Sequence, residues 1–364
     1  MKIKDFISEL EKIVPLYLQE DYDNCGLIVG DSHLNISSVL ICLDSVESVV
    51  EEAIERDCNL IIAHHPIIFS GLKKLTFDNY IERTIAKAIK NNIAIYAMHT
   101  NLDNIKNGVS FKMASVLGLS NPEILLPKKN FLRKLDVYCP SNAVNEVQSS
   151  LFNAGAGDIG RYSNCSFISD GFGTFLPDNN ANPHVGEVGK LNVQSEKKIE
   201  VIFPVYKESE IISQMKKSHP YEEIAYQVYT INNKYQDIGS GVIGNLEERM
   251  KTKDFLEFIQ SRFNTGCIRH TKIIGDYIEK VAVCGGSGSF LLRYAKKRGA
   301  DIFITSDFKY HEFFDSDNDI IVADIGHYES EVFTKEVIYD LLINNFSTFA
   351  VQLSNINTNP VNYL

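Results

Sequence analysis

Short apolar runs alternate with amphipathic stretches along the first third of the chain. Phe6, Leu10 and Ile13 share one face of an opening helix that ends near Pro15. Residues 38–43 read as a buried strand and 46–56 as a helix. A second strand follows at 59–63, a helix at 78–91, extended chain at 93–98 and a helix at 105–117. This β-α-β series predicts a mostly parallel sheet.

The pattern changes near residue 130. A strand is expected at 134–139, then a helix at 141–153 closed by Gly155 and Gly157. Residues 165–176 read as a strand interrupted by Gly171 and Gly173, and the Asn-, Pro- and Gly-rich stretch 177–189 reads as a surface loop. A strand at 198–205, a helix at 208–217 and a strand at 225–231 complete a β-α-β-β-α-β order. That order predicts a ferredoxin-like sandwich of about 100 residues. Gly239, Gly241 and Gly244 suggest a turn-rich return.

Beyond residue 248 the β-α-β rhythm resumes, and it repeats the first third. Shifted by 242 positions (284 − 42), Val39–Asp44 lies on Val281–Gly286 and Leu60–His65 lies on Ile302–Asp307. Residues 1–130 and 235–364 therefore read as two related α/β halves. Each half delivers polar residues at the ends of its strands, which predicts one shared cleft.

Composition narrows the class. A chain of 364 residues can hold two or more cores, and its 44% apolar and 23% charged residues are ordinary for a soluble globular protein. No apolar run approaches the roughly 20 residues of a membrane span, and the N-terminus has no signal-peptide core. A net charge of −11 argues against a non-specific grip on nucleic acid. Seven cysteines without a C-x-x-C pair read as reduced thiols of a cytoplasmic protein.

The candidate chemistry follows three of the apolar runs. His64 and His65 end the run 60–63, Asp103 follows 93–98, and His327 with Glu331 follows 320–325. Histidine and carboxylate are suitable ligands for one or two divalent transition metals. Adjacent residues of a regular strand point to opposite sides, so His64 and His65 suit two ions better than one. His327 and Glu331 are four apart, on one face of a helix, and Asp103 or Glu331 offers two oxygens with which to bridge. Gly286, Ser287 and Gly288 follow a strand and could cradle a phosphate, although they fit neither dinucleotide nor P-loop spacing. Asp307 and His311 follow a strand of the second half and are candidates for orienting a metal ligand, for substrate contact or for acid–base work.

Asp23-Asn24-Cys25-Gly26, His64-His65-Pro66, His99-Thr100-Asn101-Leu102-Asp103 and Gly326-His327 with Glu331 resemble the GTP cyclohydrolase I type 2 homologue family, also called Nif-three-like proteins. Tyr22 stands where the family pattern often has Trp. The resemblance implies an α/β core over 1–130 and 233–364, with an inserted CutA-like or PII-like α+β domain at 131–232. It implies a dinuclear centre on His64, His65, Asp103, His327 and Glu331 that holds two divalent cations (Zn, Fe, Mn, Co or Ni). It also implies a ring-shaped homohexamer. Three activities stay open: a metal-dependent hydrolase of a nucleotide or related phosphorylated compound, a GTP cyclohydrolase in the strict sense, and a non-enzymatic metal-binding or regulatory scaffold.

Overall fold

A computed structural model describes residues 1–364. Its strands are β1 (Gly26–Val29), β2 (Ser38–Asp44), β3 (Leu60–His65), β4 (Ala94–Ala97), β5 (Ser120–Lys128), β6 (Leu132–Pro140), β7 (Ser166–Phe175) and β8 (Asn192–Pro204). There follow β9 (Tyr226–Ile231), β10 (Tyr235–Lys251), β11 (Arg269–His270), β12 (Tyr277–Ser287), β13 (Ile302–Ser306), β14 (Ile321–Asp324) and β15 (Ala350–Leu353). The chain divides into two compact units, residues 1–127 with 237–364, and residues 128–236. No helix is long and apolar enough to cross a membrane.

The discontinuous unit holds two sheets, ordered β1-β4-β3-β2-β15 and β11-β14-β13-β12-β10-β5. In the first, β2, β3 and β4 run parallel and β1 pairs antiparallel with β4. In the second, β12, β13 and β14 run parallel and β11 pairs antiparallel with β14. The registers repeat as well. Val39 pairs with Leu60 and Val281 with Ile302, so both partners are displaced by the same 242 residues (281 − 39 and 302 − 60).

The halves are not closed at the boundaries read from sequence. The last strand, β15, joins the first sheet beside β2, and β5 of the first half completes the second sheet. Each sheet is thus finished by a strand from the other end of the chain. The expected turn-rich return at Gly239, Gly241 and Gly244 is instead part of the long strand β10. These glycines permit close approach, since a Cβ on Gly239 would lie 2.2 Å from the Leu126 carbonyl oxygen and one on Gly241 2.7 Å from Leu291.

Alternate residues of each parallel strand enter different cores. Val39 and Ile41 pack with Phe6, Leu10 and Leu342, whereas Leu40 and Cys42 pack with Val49, Val50 and Ala53. Both faces of the sheet are covered, which is why its strands are continuous apolar runs. The helix Val109–Val116 places Val109 in one core and Met113 in the core of the second sheet.

The unit 128–236 is a four-stranded antiparallel sheet ordered β7-β8-β6-β9. With helices Val144–Asn153 and Glu208–Ser218 between strands, it has the ferredoxin-like topology. Leu135, Val137, Ile199 and Val201 pack against Val147, Leu151, Ile211 and Met215, so both helices cover the same face.

Candidate metal centre

The carboxyl ends of parallel strands in both sheets bring the predicted ligands together. His64 and His65 are the last residues of β3. Asp103 ends the single helical turn Thr100–Asp103 after β4, and His327 and Glu331 bound a short helix after β14. His327 Nε2 lies 3.0 Å from Glu331 Oε2, as four-residue spacing on a helix requires.

Glu331 is the centre of the cluster and is 2% exposed. His65 Nε2 lies 2.9 Å from its Oε2 and His64 Nε2 lies 3.7 Å from its Oε1. The two adjacent histidines thus address the two oxygens of one carboxylate. His65 Nε2 and His327 Nε2 are 3.2 Å apart. Asp103 Oδ1 lies 3.8 Å from His64 Nε2.

Outer partners fix how the rings point. His65 Nδ1 lies 2.8 Å from Asp44 Oδ1, and His327 Nδ1 lies 2.7 Å from Asp307 Oδ2. His64 Nδ1 lies 2.8 Å from the Met98 carbonyl oxygen. A carbonyl only accepts, so that nitrogen donates and a neutral His64 turns a lone pair at Nε2 into the cluster. This Nε2 and Asp103 Oδ1 are both buried without a hydrogen-bond partner. Acceptors that face acceptors in a dry interior are costly unless a cation sits among them. Their separations of 3.7 and 3.8 Å are near those of ligands about 2.1 Å from a shared ion. The residues fit a metal.

The electrostatics agree. Burial, followed by the charge of Glu331, raises the Asp103 carboxyl to about 7. Burial opposes charge on His65, but hydrogen bonds to Asp44 and Glu331 outweigh it and lift the ring to about 9. The same contest at His327, won by Glu331 and Asp307, lifts it to about 11. Burial also opposes ionisation of Glu331, yet the histidines hold it well below the usual carboxylate range. Without a metal, protons carry the positive charge that this carboxylate demands.

One member escaped the sequence reading. His99 ends the segment after β4 and donates Nδ1–H to Asp23 Oδ1 at 2.8 Å, leaving Nε2 free to face the cluster. One ligand atom each from His64, His65 and His99 lies within 4.8 Å of the others, as do those of His65, His327 and Glu331. The available signal was its spacing, four residues before Asp103. Asp23 also accepts hydrogen bonds from the Thr100 amide and hydroxyl, so the Asp-Asn-Cys-Gly motif serves to seat His99.

The remaining candidates divide. Asp307 orients His327 and makes no other ion pair at the cluster. His311 is exposed and packs on Tyr310 and Phe314, with no hydrogen bond or ion pair to the cluster. Gly286 and Ser287 belong to β12, and no long helix opens at Gly288. The Gly286 amide donates to Ser330 Oγ at 3.0 Å, so it is not free for a phosphate. Gly286 acts through space instead, because a Cβ there would lie 2.2 Å from Glu331 Oε1.

The Asp44 contact is testable. Asp44→Asn keeps the shape but not the charge that steadies His65, so metal affinity should fall about 10- to 100-fold. Competition against a chelator measures it, and unchanged affinity would remove Asp44 from the site.

Residues 1–360 match the model of the Duf34/NIF3 (NGG1p interacting factor 3) family. The GTP cyclohydrolase 1 type 2 homolog of Bacillus subtilis is 38% identical, with 99% of this chain and 98% of that protein aligned. The protein of that name from Halalkalibacterium halodurans is also 38% identical, over 98% of each. The crystal structure of a Bacillus cereus protein related to NIF3 superposes with a TM-score of 0.89 at 37% identity, covering 100% of this chain and 99% of the other. This chain belongs to the Duf34/NIF3 family.

Proposed function

We propose that the chain is a metal-dependent hydrolase with a dinuclear centre, acting on a nucleotide or a related phosphorylated compound. The observation that carries the reading is the pair of buried, unpartnered acceptors, His64 Nε2 and Asp103 Oδ1, beside the carboxylate of Glu331. His64, His65, Asp103, His327 and Glu331 would hold two divalent cations of the Zn, Fe, Mn, Co or Ni type. Such a pair supplies Lewis acidity, water activation and charge neutralisation for phosphoester hydrolysis or for hydrolytic opening of the guanine imidazole ring. The protein's own part is to hold five ligand side chains in fixed orientation and to seat His99 toward the same space. The relatives' name, GTP cyclohydrolase 1 type 2 homolog, supports a nucleotide substrate.

Two further elements belong to this reading. The ferredoxin-like strand order supports a CutA- or PII-like module at 128–236. Exposed Phe69, Leu72, Leu75, Phe77 and Tyr80 support self-association as a ring-shaped homohexamer, and seven free cysteines support a reducing, cytoplasmic setting.

Elemental analysis of protein purified without added metal, beside Asp103→Ala, tests the centre. About two ions per chain, falling in the variant, are expected. No stoichiometric metal after reconstitution with Zn²⁺, Mn²⁺ or Fe²⁺ would overturn the hydrolase reading. Free phosphate as product would distinguish phosphoester hydrolysis from opening of the guanine ring.

Affinity should also depend steeply on pH. Metal must displace the Nε2 protons of His65 and His327, whose rings titrate at about 9 and 11. Both are protonated between pH 6 and 8, so affinity should rise with pH by on the order of 100-fold per unit, and more steeply below about 7, where the Asp103 carboxyl also holds a proton. In metal-free protein the sign reverses. Raised values mean that the pair's stabilisation is present below about 6.5 and is lost as pH rises through about 9 to 11. Chelator competition at pH 6 and 8 is the measurement, and a flat profile would contradict proton release.

A further inference from the structure

The unit 128–236 contains a cavity whose lining includes none of the residues of the metal centre. It has a volume of about 1040 Å³ and lies on the sheet face opposite the helices. Tyr138 of β6, Glu196 of β8 and the segment 169–175 of β7 form one wall. Residues 176–185 and the turn 221–223 form the other. Asn182 donates its amide to Glu222 at 2.8 Å, which ties the covering segment to that turn.

Two glycines leave the space open. Gly171 pairs with Glu196 and Gly173 with Gln194, so both lie on the cavity side of β7. Neither has a positive φ. What matters is the missing side chain: a Cβ on Gly171 would meet nothing within 4 Å, and one on Gly173 would strike the Glu196 carboxylate.

The walls carry a consistent chemistry. Asp178, Glu196, Glu222 and Glu223 contribute four carboxylates, against the single ammonium of Lys198. That ammonium is already held by Asp136 at 2.9 Å and by Glu200. Tyr138, Phe175 and Tyr221 add aromatic surface. The Tyr221 ring packs on His184 and His219 at 5.9 and 5.1 Å. Its hydroxyl is turned toward the Glu196 carboxylate.

A compact inorganic ion is not what these groups suit. Close clusters of three or more His, Cys, Asp or Glu ligand atoms occur at the metal centre and nowhere in this unit. Separated carboxylates in a cavity of ligand size, with aromatic faces between them, match a flexible chain of several ammonium groups. We propose that this cavity binds a linear organic polycation of the polyamine class. Its ammonium groups lie against the carboxylates and its methylenes against the rings. Its binding is independent of the metal centre.

Calorimetric titration of the full-length chain with spermidine, and separately with Mg²⁺, in about 0.15 M salt tests this. One spermidine per chain is expected, bound at least about 10-fold more tightly than Mg²⁺. Gly171→Leu fills the floor without backbone strain, and Glu196→Gln removes one charge without changing shape. Each should weaken spermidine at least about 10-fold while melting temperature and metal content stay as in the parent. No saturable spermidine binding, Mg²⁺ binding of equal strength, or unchanged binding by both variants would overturn the proposal. The last two results would mean diffuse attraction to a chain of net charge −11.

Discussion

Glu331→Gln is expected to abolish stoichiometric metal binding, with affinity falling by well over 100-fold. Glu331 is where the geometry converges. Its two oxygens face His65 and His327 on one side and His64 on the other, at 2.9, 3.0 and 3.7 Å. A neutral amide has one oxygen to give and cannot place negative charge toward both sides of the cluster. The variant should also be less stable when metal-free. The lost carboxylate leaves His65 and His327, 3.2 Å apart, with no anion between them, and removing one member of a buried charged set costs about 3 kcal/mol. Elemental analysis and thermal melting with and without chelator measure both effects. A variant that keeps the parent's metal content would show that Glu331 is not a ligand.

Gly286→Ala should damage the same site from outside the ligand set. Gly286 has φ near 60°, which costs an L-residue about 1–2 kcal/mol. Its new Cβ would lie 2.2 Å from Glu331 Oε1 and 3.4 Å from His327 Cε1. Glu331 is enclosed by three histidines and cannot step aside, so β12 or the ligand helix must shift. A displacement of this kind should cost roughly 3 kcal/mol of stability in total and at least about 10-fold in metal affinity. Gly118→Ala is the control. Gly118 has φ of 68°, but a Cβ there meets nothing within 4 Å, so it should show the backbone cost alone with metal binding intact. If the two variants behave alike, the contact with Glu331 carries no weight.

Much of the alternation of strand and helix was written in the sequence. The runs at 38–43, 59–63 and 93–98 became β2, β3 and β4, because strands covered on both faces must be apolar at every position. The β-α-β-β-α-β order at 134–231 was legible for the same kind of reason, each element keeping one apolar face for a single shared core. The strand β10 was misread because glycine weakens a local strand signal. Its glycines answer to the closeness of Leu126 and Leu291, which lie far away in sequence.

The ligand types and their positions after apolar runs were likewise determined by sequence alone, and so was the 242-residue repeat. The tertiary structure decided which sheet each edge strand completes. It also put Glu331 against histidines some 266 residues earlier in the chain. His99 and Asp44 acquired their roles only there, since a hydrogen bond across a cleft leaves no periodicity along the chain. The physical reason is one of range. Periodicity records which face of an element is buried, a local property repeated every two or 3.6 residues. The centre depends on single contacts between elements, and each of those is fixed only when the sheets have packed.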